Sequence, residues 1–247
     1  MSTIAAYLET TASTRSLPDR RFDHRFFPAM AWLMLITVFV GFAPTYYLAG
    51  SRAPLPTVVH VHAVVFSCWI LLLITQTSLT ASGRINVHRQ LGIAGFILAC
   101  LMLVVGLWVA TELLASGLPK HDPKGFYIIP ITNIVAFAVL TVFAYRARFD
   151  SAAHKRLIIV ASTALMTAPI ARWHFEMVHF RPSAAERFSY IFLLLLAAYD
   201  LWATRRLHRG TVWGGAFLIA VQQFALIFGT TSVWRAFAGW VQALARR

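Results

Sequence analysis

The sequence predicts an all-α, polytopic transmembrane helix bundle with about seven spans. Of its 247 residues, 59% are hydrophobic and only 13% are charged, and the mean hydropathy is +0.67. A soluble domain carries about 25% charged residues, so an ordinary globular enzyme is excluded. The apolar residues form long blocks without a period of two, which favours helices over a β-barrel. The basic residues lie mostly between these blocks, as they do in membrane proteins.

Seven blocks provide the roughly 20 mostly apolar residues that a helix needs to cross a bilayer. The predicted spans are Phe27–Leu48, Thr57–Leu79, Leu91–Leu114, Phe126–Tyr145, Leu157–Trp173, Phe188–Leu207 and Val212–Val233. The first block follows Arg20 and Arg21 as a signal peptide would. It is too long for a signal-peptide core and lacks a small-residue cleavage site, so it is predicted to remain as a span. The fifth block is the shortest, and Pro169 near its end is expected to kink it.

The positions of lysine and arginine predict the orientation. Of the 22 basic residues, 13 lie in the N-terminal tail and in the second, fourth and sixth loops, against nine on the opposite side. The positive-inside rule therefore predicts a cytoplasmic N-terminus and an external C-terminus. The predicted organisation is a cytoplasmic tail over residues 1–26, a transmembrane domain over 27–233 and an interfacial tail over 234–247. Trp240 is the expected anchor of that last segment.

A histidine followed by a basic residue precedes four of the spans, all of them odd-numbered. The four motifs are Asp23-His24-Arg25, Val87-His88-Arg89, Ala153-His154-Lys155 and Leu207-His208-Arg209. This recurrence predicts a helical hairpin repeated three times after an initial span. The motifs either anchor the helix ends at the cytoplasmic lip or form part of a binding site.

Three stretches carry a resemblance to known membrane proteins. They are His-Arg-x-Leu-Gly within Val87–Gly92, the pair Gly214-Gly215, and Trp234-x-x-Phe237-x-x-Trp240. Together they cover well under a third of the chain. The sequence resembles uncharacterised bacterial multi-pass inner-membrane proteins, and more loosely the small membrane proteins that assist cytochrome-oxidase assembly. The resemblance implies a bacterial inner membrane and a link to respiration or haem.

The densest set of candidate ligands falls on the outer side. Its members are His60, His62, Arg172, His174, Glu176 and His179. Imidazoles from two helices can ligate a haem b axially, whereas His60, His62 and His174 with Glu176 can hold zinc, copper or non-haem iron. Because His60 and His62 lie about 200° apart around a helix, they cannot both face one ligand.

A second histidine pair is expected on the inner side. His88 and His154 begin the third and fifth spans, so they are candidates for a second haem. Their placement resembles the two-haem architecture of cytochrome b561-type proteins. In those proteins the ligands lie within the helices, whereas His88 and His154 lie at the helix ends.

Several polar side chains lie within predicted spans, where burial is costly. Asp200, near the inner end of the sixth span, is expected to pair with Arg156 or Arg209, or else to relay protons. Asn133, Gln222 and Gln223 are expected to form hydrogen bonds between helices or to line a solute path. Arg172 is expected at the same outer depth as the histidines.

Three functions remain open on the sequence alone. The first is a haem- or metal-binding protein of respiratory electron transfer or oxidase biogenesis. The second is a transporter of a small solute or of protons. The third is a non-catalytic assembly protein, packed through small residues such as Gly95 and Gly215.

Composition and motifs narrow the partners to the lipid bilayer and other membrane or respiratory proteins. The net charge of +13 does not indicate nucleic-acid binding, because the basic residues flank the spans and no nucleic-acid-binding motif accompanies them. The sequence has no phosphate-binding loop, no nucleophile elbow and no closely spaced histidine box, so it assigns no enzymatic activity.

The haem hypothesis predicts a reducible Soret band and α-band, near one iron per chain, in detergent-purified protein produced with haem available. The measurement is an absorption spectrum before and after dithionite, with elemental analysis for iron, copper and zinc. Unchanged cofactor content in His60→Ala, His62→Ala and His174→Ala would contradict the outer site.

Overall fold

The computed structural model describes residues 22–48, 55–177, 179 and 181–246. These residues form helices and connecting loops, without a strand. The helices are α1 (Asp23–Phe42), α2 (Thr57–Ala81), α3 (Ile85–Ala115), α4 (Pro123–Arg146), α5 (Ser151–Ala164), α6 (Thr167–Ile170), α7 (Pro182–Ser189), α8 (Ile191–Thr204), α9 (Arg209–Phe228) and α10 (Ser232–Ala245). Most of the predicted tail over 1–26 lies outside the described residues.

Five of these helices are long and apolar enough to cross a membrane. They are α1 with the π-helical turn Ala43–Tyr47 that continues it, and α2, α3, α4 and α9. They correspond to the first four predicted spans and the last one, so the described residues confirm the all-helical class and the presence of several helices long and apolar enough to span a membrane. The count of seven spans, the hairpin repeat and the orientation stay predictions.

The fifth predicted span is divided into two shorter helices, and the sixth coincides mainly with α8. The fifth ends as α5 at Ala164 and resumes as the single turn α6; between them, the N–H groups of Leu165 and Met166 donate to the carbonyls of Ser162 and Thr163. Proline cannot donate to the carbonyl four residues earlier, and its ring collides with that carbonyl. For Pro169 that carbonyl belongs to Leu165, where the helix stops. The apolar α8 provides most of the predicted Phe188–Leu207 span, and the amphipathic α7 precedes it and meets it at Tyr190.

The bundle is assembled from neighbours along the chain. Each of the helices α1, α2, α3 and α4 packs against the next helix in the chain, and α9 packs against α4 and α5. The short α6 packs against α1 and α7. The largest fully buried side chains include Met34, Met102, Phe137, Phe192 and Leu196, so one apolar core connects α1, α3, α4 and α8.

One face of α3 exposes a continuous apolar stripe. Ile93, Ile97, Leu101, Val104 and Trp108 recur at helical spacing and are 46–65% exposed. A stripe of this size would be costly in water and is the surface expected against lipid.

The C-terminal helix α10 lies across the ends of α3 and α4. Trp234 is buried and donates through Nε1 to the Lys124 carbonyl at 2.8 Å. Gln242 and Arg246 donate to the carbonyls of Leu114 and Ala115 at 2.7 and 2.8 Å, which satisfies acceptors at the end of α3. Phe237 and Trp240 remain exposed on the other face. The predicted interfacial helix is therefore formed, and its seat in the membrane interface stays a prediction.

Substituting Gly41 with alanine should destabilise the bundle by about 1–3 kcal/mol, because the new Cβ would overlap the backbone of Pro169 and push α1 away from α6. Thermal unfolding of the purified protein in detergent measures the effect. Gly92→Ala is the matched control, since its Cβ meets only Gln76 Nε2 at 3.7 Å. Equal melting temperatures for the two variants would contradict the close approach of α1 and α6.

Candidate functional site

A buried carboxyl group on α7 has no hydrogen-bond partner. Glu186 is fully buried, and neither of its carboxyl oxygens receives a hydrogen bond. The Asn133 amide of α4 lies beside the carboxyl group and interacts with it electrostatically, but outside hydrogen-bond geometry, and the charge of the adjacent Arg187 also acts on it. Glu186 forms none of the ion pairs found among the described residues. An acceptor-only group left unpaired in an apolar interior is rare and requires an explanation.

The neighbouring amides have orientations that chemistry fixes. Asn133 lies 3.0 Å from the Ile129 carbonyl, and because a carbonyl only accepts, Asn133 must present Nδ2 to it. Asn133 Oδ1 then faces Gln222, which must present Nε2, at 2.8 Å. Gln222 Oε1 is left buried and without a donor. The centre therefore has three unpaired acceptor oxygens, two on Glu186 and one on Gln222.

We call this group the Glu186 centre and define it as Glu186, Asn133, Gln222 and Thr167. Tyr190 borders it. Gln222 Nε2 also lies 3.4 Å from Thr167 Oγ1. Next to the centre, Gln223 Nε2 donates to the Tyr190 hydroxyl at 3.0 Å. Three of the polar side chains predicted within spans, Asn133, Gln222 and Gln223, thus make contacts between helices.

Local sequence explains how Glu186 enters the bundle. The break before Pro169 ends α5 at Ala164, and α7 begins at Pro182. On α7, Ala185, Glu186 and Ser189 are fully buried, whereas Arg187 is exposed. Residues three and four apart share one face of a helix, so Ser189 follows Glu186 into the interior. The centre thus joins two short helices, α6 and α7, to the middle of α4 and α9.

Asp200 forms a second polar centre, and here every acceptor is satisfied. Asp200 Oδ1 receives Arg156 Nε and Nη2 at 2.8 and 2.5 Å. Its Oδ2 receives the His208 backbone N–H at 3.0 Å and the Thr211 hydroxyl at 2.6 Å. Asp200 and Arg156 are 0% and 3% exposed. Of the two partners expected for Asp200, the structure pairs it with Arg156.

Asp23 continues the polar contacts at this end of the bundle. Its carboxylate pairs with Lys155 and accepts the Tyr199 hydroxyl at 2.6 Å, which fixes the start of α1 against α5 and α8.

The four histidine–basic motifs have different structural roles. His208 caps α9 by accepting the Gly210 N–H at 2.9 Å, and burial, followed by the charge of Arg156, lowers the pKa of His208 below its ordinary value. His154 donates from Nδ1 to the Ala144 carbonyl at 2.8 Å. Its ring centroid lies 6.2 Å from that of His88, whose Nδ1 is buried without a partner. His24 is exposed.

Each of the outer histidines contacts a neighbouring aromatic side chain. His60 Nδ1 lies 2.9 Å from the Tyr46 hydroxyl, and His62 packs on the Phe66 ring. His174 stacks on His179, with 5.3 Å between ring centroids.

The two charged members of the predicted outer site have different surroundings. Glu176 is exposed, while Arg172 donates to the Ala168 carbonyl at 2.8 Å, covers the Phe42 ring and lies close enough to His62 for its charge to act on that imidazole. Within the described part of the chain, no three His, Cys, Asp or Glu side chains lie close enough to share a metal ion.

Sequence reasoning missed Glu186, because it lies just before the predicted start of the sixth span and beside two arginines. The available signal was helical spacing: Glu186 shares a face with Ser189 and Tyr190, opposite Arg187. A lone carboxyl group on the apolar side of an amphipathic turn is unusual enough to be singled out.

Comparisons with protein families, with curated proteins and with solved structures found no match. The resemblance noted around Val87–Gly92 therefore stays an expectation, and the function has to be argued from the two polar centres.

Asp200→Asn should destabilise the protein by about 3–5 kcal/mol, because it leaves the buried Arg156 guanidinium without a countercharge. Thermal unfolding in detergent measures the loss. Asp122→Asn is the control, since the Asp122–Arg235 pair is exposed and its removal should change stability by less than about 1 kcal/mol. Similar losses in both variants would contradict a structural role for the Asp200–Arg156 pair.

Proposed function

We propose that the protein is a membrane transporter that moves protons, alone or with a small solute, and that Glu186 binds the proton. The observation that supports this proposal is the pair of buried, unpaired oxygens of Glu186 beside the Asn133–Gln222 hydrogen bond. The proposed location is the bacterial inner membrane.

The physical argument starts from the energy of the ionised carboxyl group. A buried carboxylate without a well-formed hydrogen bond or a direct ion pair is destabilised by several kcal/mol, so the neutral acid is favoured. The proton leaves only when water, a cation or a solute group reaches the site. A proton-coupled carrier requires a group whose charge changes when water, a cation or a solute reaches it.

The interrupted helices support the same proposal. Transporters commonly build their sites near the bilayer midplane from discontinuous helices, whose broken ends provide polar groups away from the aqueous surfaces. Here α5–α6 and α7–α8 are both interrupted, and the Gln222 amide of α9 contacts Asn133 of α4 and Thr167 of α6, with the Glu186 carboxyl group of α7 beside Asn133.

Glu186→Gln should abolish proton movement, because glutamine fills the same space but has no titratable proton. The experiment uses purified protein in liposomes containing the pH-sensitive dye pyranine. Valinomycin is added, sodium and potassium salts are equal on both sides, and the outside is acidified. The wild type should acidify the interior faster than protein-free liposomes, and the variant should match the protein-free rate.

Glu176→Gln is the matched control, because Glu176 is exposed and lies ten residues away on the same connecting segment. It should retain the wild-type rate. Wild-type liposomes that acidify no faster than empty ones would overturn the proposed function, whereas full activity in Glu186→Gln would overturn the role of Glu186.

A haem-binding protein is the second candidate, and one observation favours it. His154 donates through Nδ1 to a backbone carbonyl, which is the contact that orients a ligating imidazole and leaves Nε2 as its acceptor. His88 lies next to it. The absorption spectrum separates this candidate from the transporter, because Glu186 has no part in haem ligation.

A further inference from the structure

The Glu186 centre has more acceptors than a single proton can satisfy. Its unpaired oxygens are both Glu186 carboxyl oxygens and Gln222 Oε1. When Glu186 is protonated, the hydroxyl group donates to one acceptor, and the remaining carboxyl oxygen has beside it the Asn133 amide, which is outside hydrogen-bond geometry. A cation bound among these oxygens would complete all three. The acceptor excess therefore indicates a positive ion as an alternative occupant.

The surrounding oxygens are suited to such an ion. Asn133 Oδ1 accepts one hydrogen bond from Gln222 Nε2 and keeps a second lone pair, and Thr167 Oγ1 lies 3.4 Å from the same nitrogen. Up to five oxygens from four helices, α4, α6, α7 and α9, thus belong to one small group. Carboxylate, amide and hydroxyl oxygens are the ligands of hard cations, whereas soft metals prefer thiolate or imidazole, and the Glu186 centre contains neither.

Charge selects a monovalent ion. The centre contains one carboxylate, which neutralises one positive charge, and a divalent ion would leave a net charge inside the apolar bundle. The nearest positively charged residue along the chain, Arg187, has an exposed side chain.

We propose that the Glu186 centre binds a sodium ion in exchange for the Glu186 proton, an inference that rests on the proposed transport function. The site is neutral in both states, with Glu186 protonated in one and ionised and paired with sodium in the other. One sodium ion entering releases one proton, so the exchange is electroneutral. The chain then acts as a sodium–proton exchanger, with the Gln222 oxygen as a ligand present only for sodium binding.

The test uses the same pyranine-loaded liposomes with valinomycin and equal potassium on both sides. An inward gradient of sodium chloride is imposed at equal pH, and choline chloride replaces it in the reference. The wild type should make the interior alkaline with sodium and not with choline, and Glu186→Gln should abolish this response.

Gln222→Met separates the ligand role from the proton role. It removes the unpaired oxygen and should slow the sodium-driven exchange at least about 10-fold, the scale expected for loss of one group at a metal site. Gln223→Met is the matched control, because Gln223 bonds to Tyr190 outside the centre, and it should exchange at the wild-type rate. Size-exclusion profiles and melting curves confirm that each variant is folded.

The outcomes distinguish this inference from the proposed function. Proton movement that depends on Glu186 but is equal in sodium and choline would overturn the sodium site and leave the proton transporter standing. An equal response to sodium and to an added potassium gradient, with valinomycin omitted, would overturn the choice of sodium. Sodium exchange that survives in Gln222→Met and Glu186→Gln would place the ion elsewhere, and the absence of any proton movement would remove both proposals.

Discussion

The proline at position 169 sets the architecture on which the candidate site depends. Its missing N–H and its ring deny the fifth apolar segment a continuous helical ladder, so α5 ends at Ala164 and a single turn, α6, follows. That turn packs against α1 at Gly41, where the absence of a side chain lets the two backbones approach. The chain then turns back and inserts α7 into the bundle. Without this interruption, the segment that carries Glu186 would have no room beside α4 and α9.

The two buried carboxyl groups differ in how fully they are satisfied. Asp200 receives four donors, two from Arg156 and one each from His208 and Thr211, so its charge is compensated within the structure. Glu186 receives none. A fully satisfied network stiffens a fold, whereas an unsatisfied group destabilises it unless a ligand or proton completes the shell. This contrast is why we assign a structural role to Asp200 and a transport role to Glu186.

The histidines show that a repeated motif need not have one repeated role. His208 caps a helix, His154 ties the start of α5 to the end of α4, and His24 is exposed. The capping and anchoring interpretation therefore accounts for His208 and for one nitrogen of His154. His88 is different, because its buried Nδ1 has no donor or acceptor, and the proposed haem site depends on that pair.

Composition and block length alone predicted an all-helical chain with apolar helices long enough to cross a membrane, because about 20 consecutive apolar residues satisfy a bilayer only as a helix. The sequence also indicated that Asp200 would need a basic partner and that Pro169 would disturb the fifth span, since both follow from local chemistry. It did not indicate Glu186, because whether a carboxyl group at the edge of a span faces water or the interior depends on how two short helices return into the bundle. The meeting of Glu186, Asn133 and Gln222, which are 36 to 89 positions apart in sequence, was decided by tertiary packing, since only packing brings side chains from separate helices within hydrogen-bonding distance.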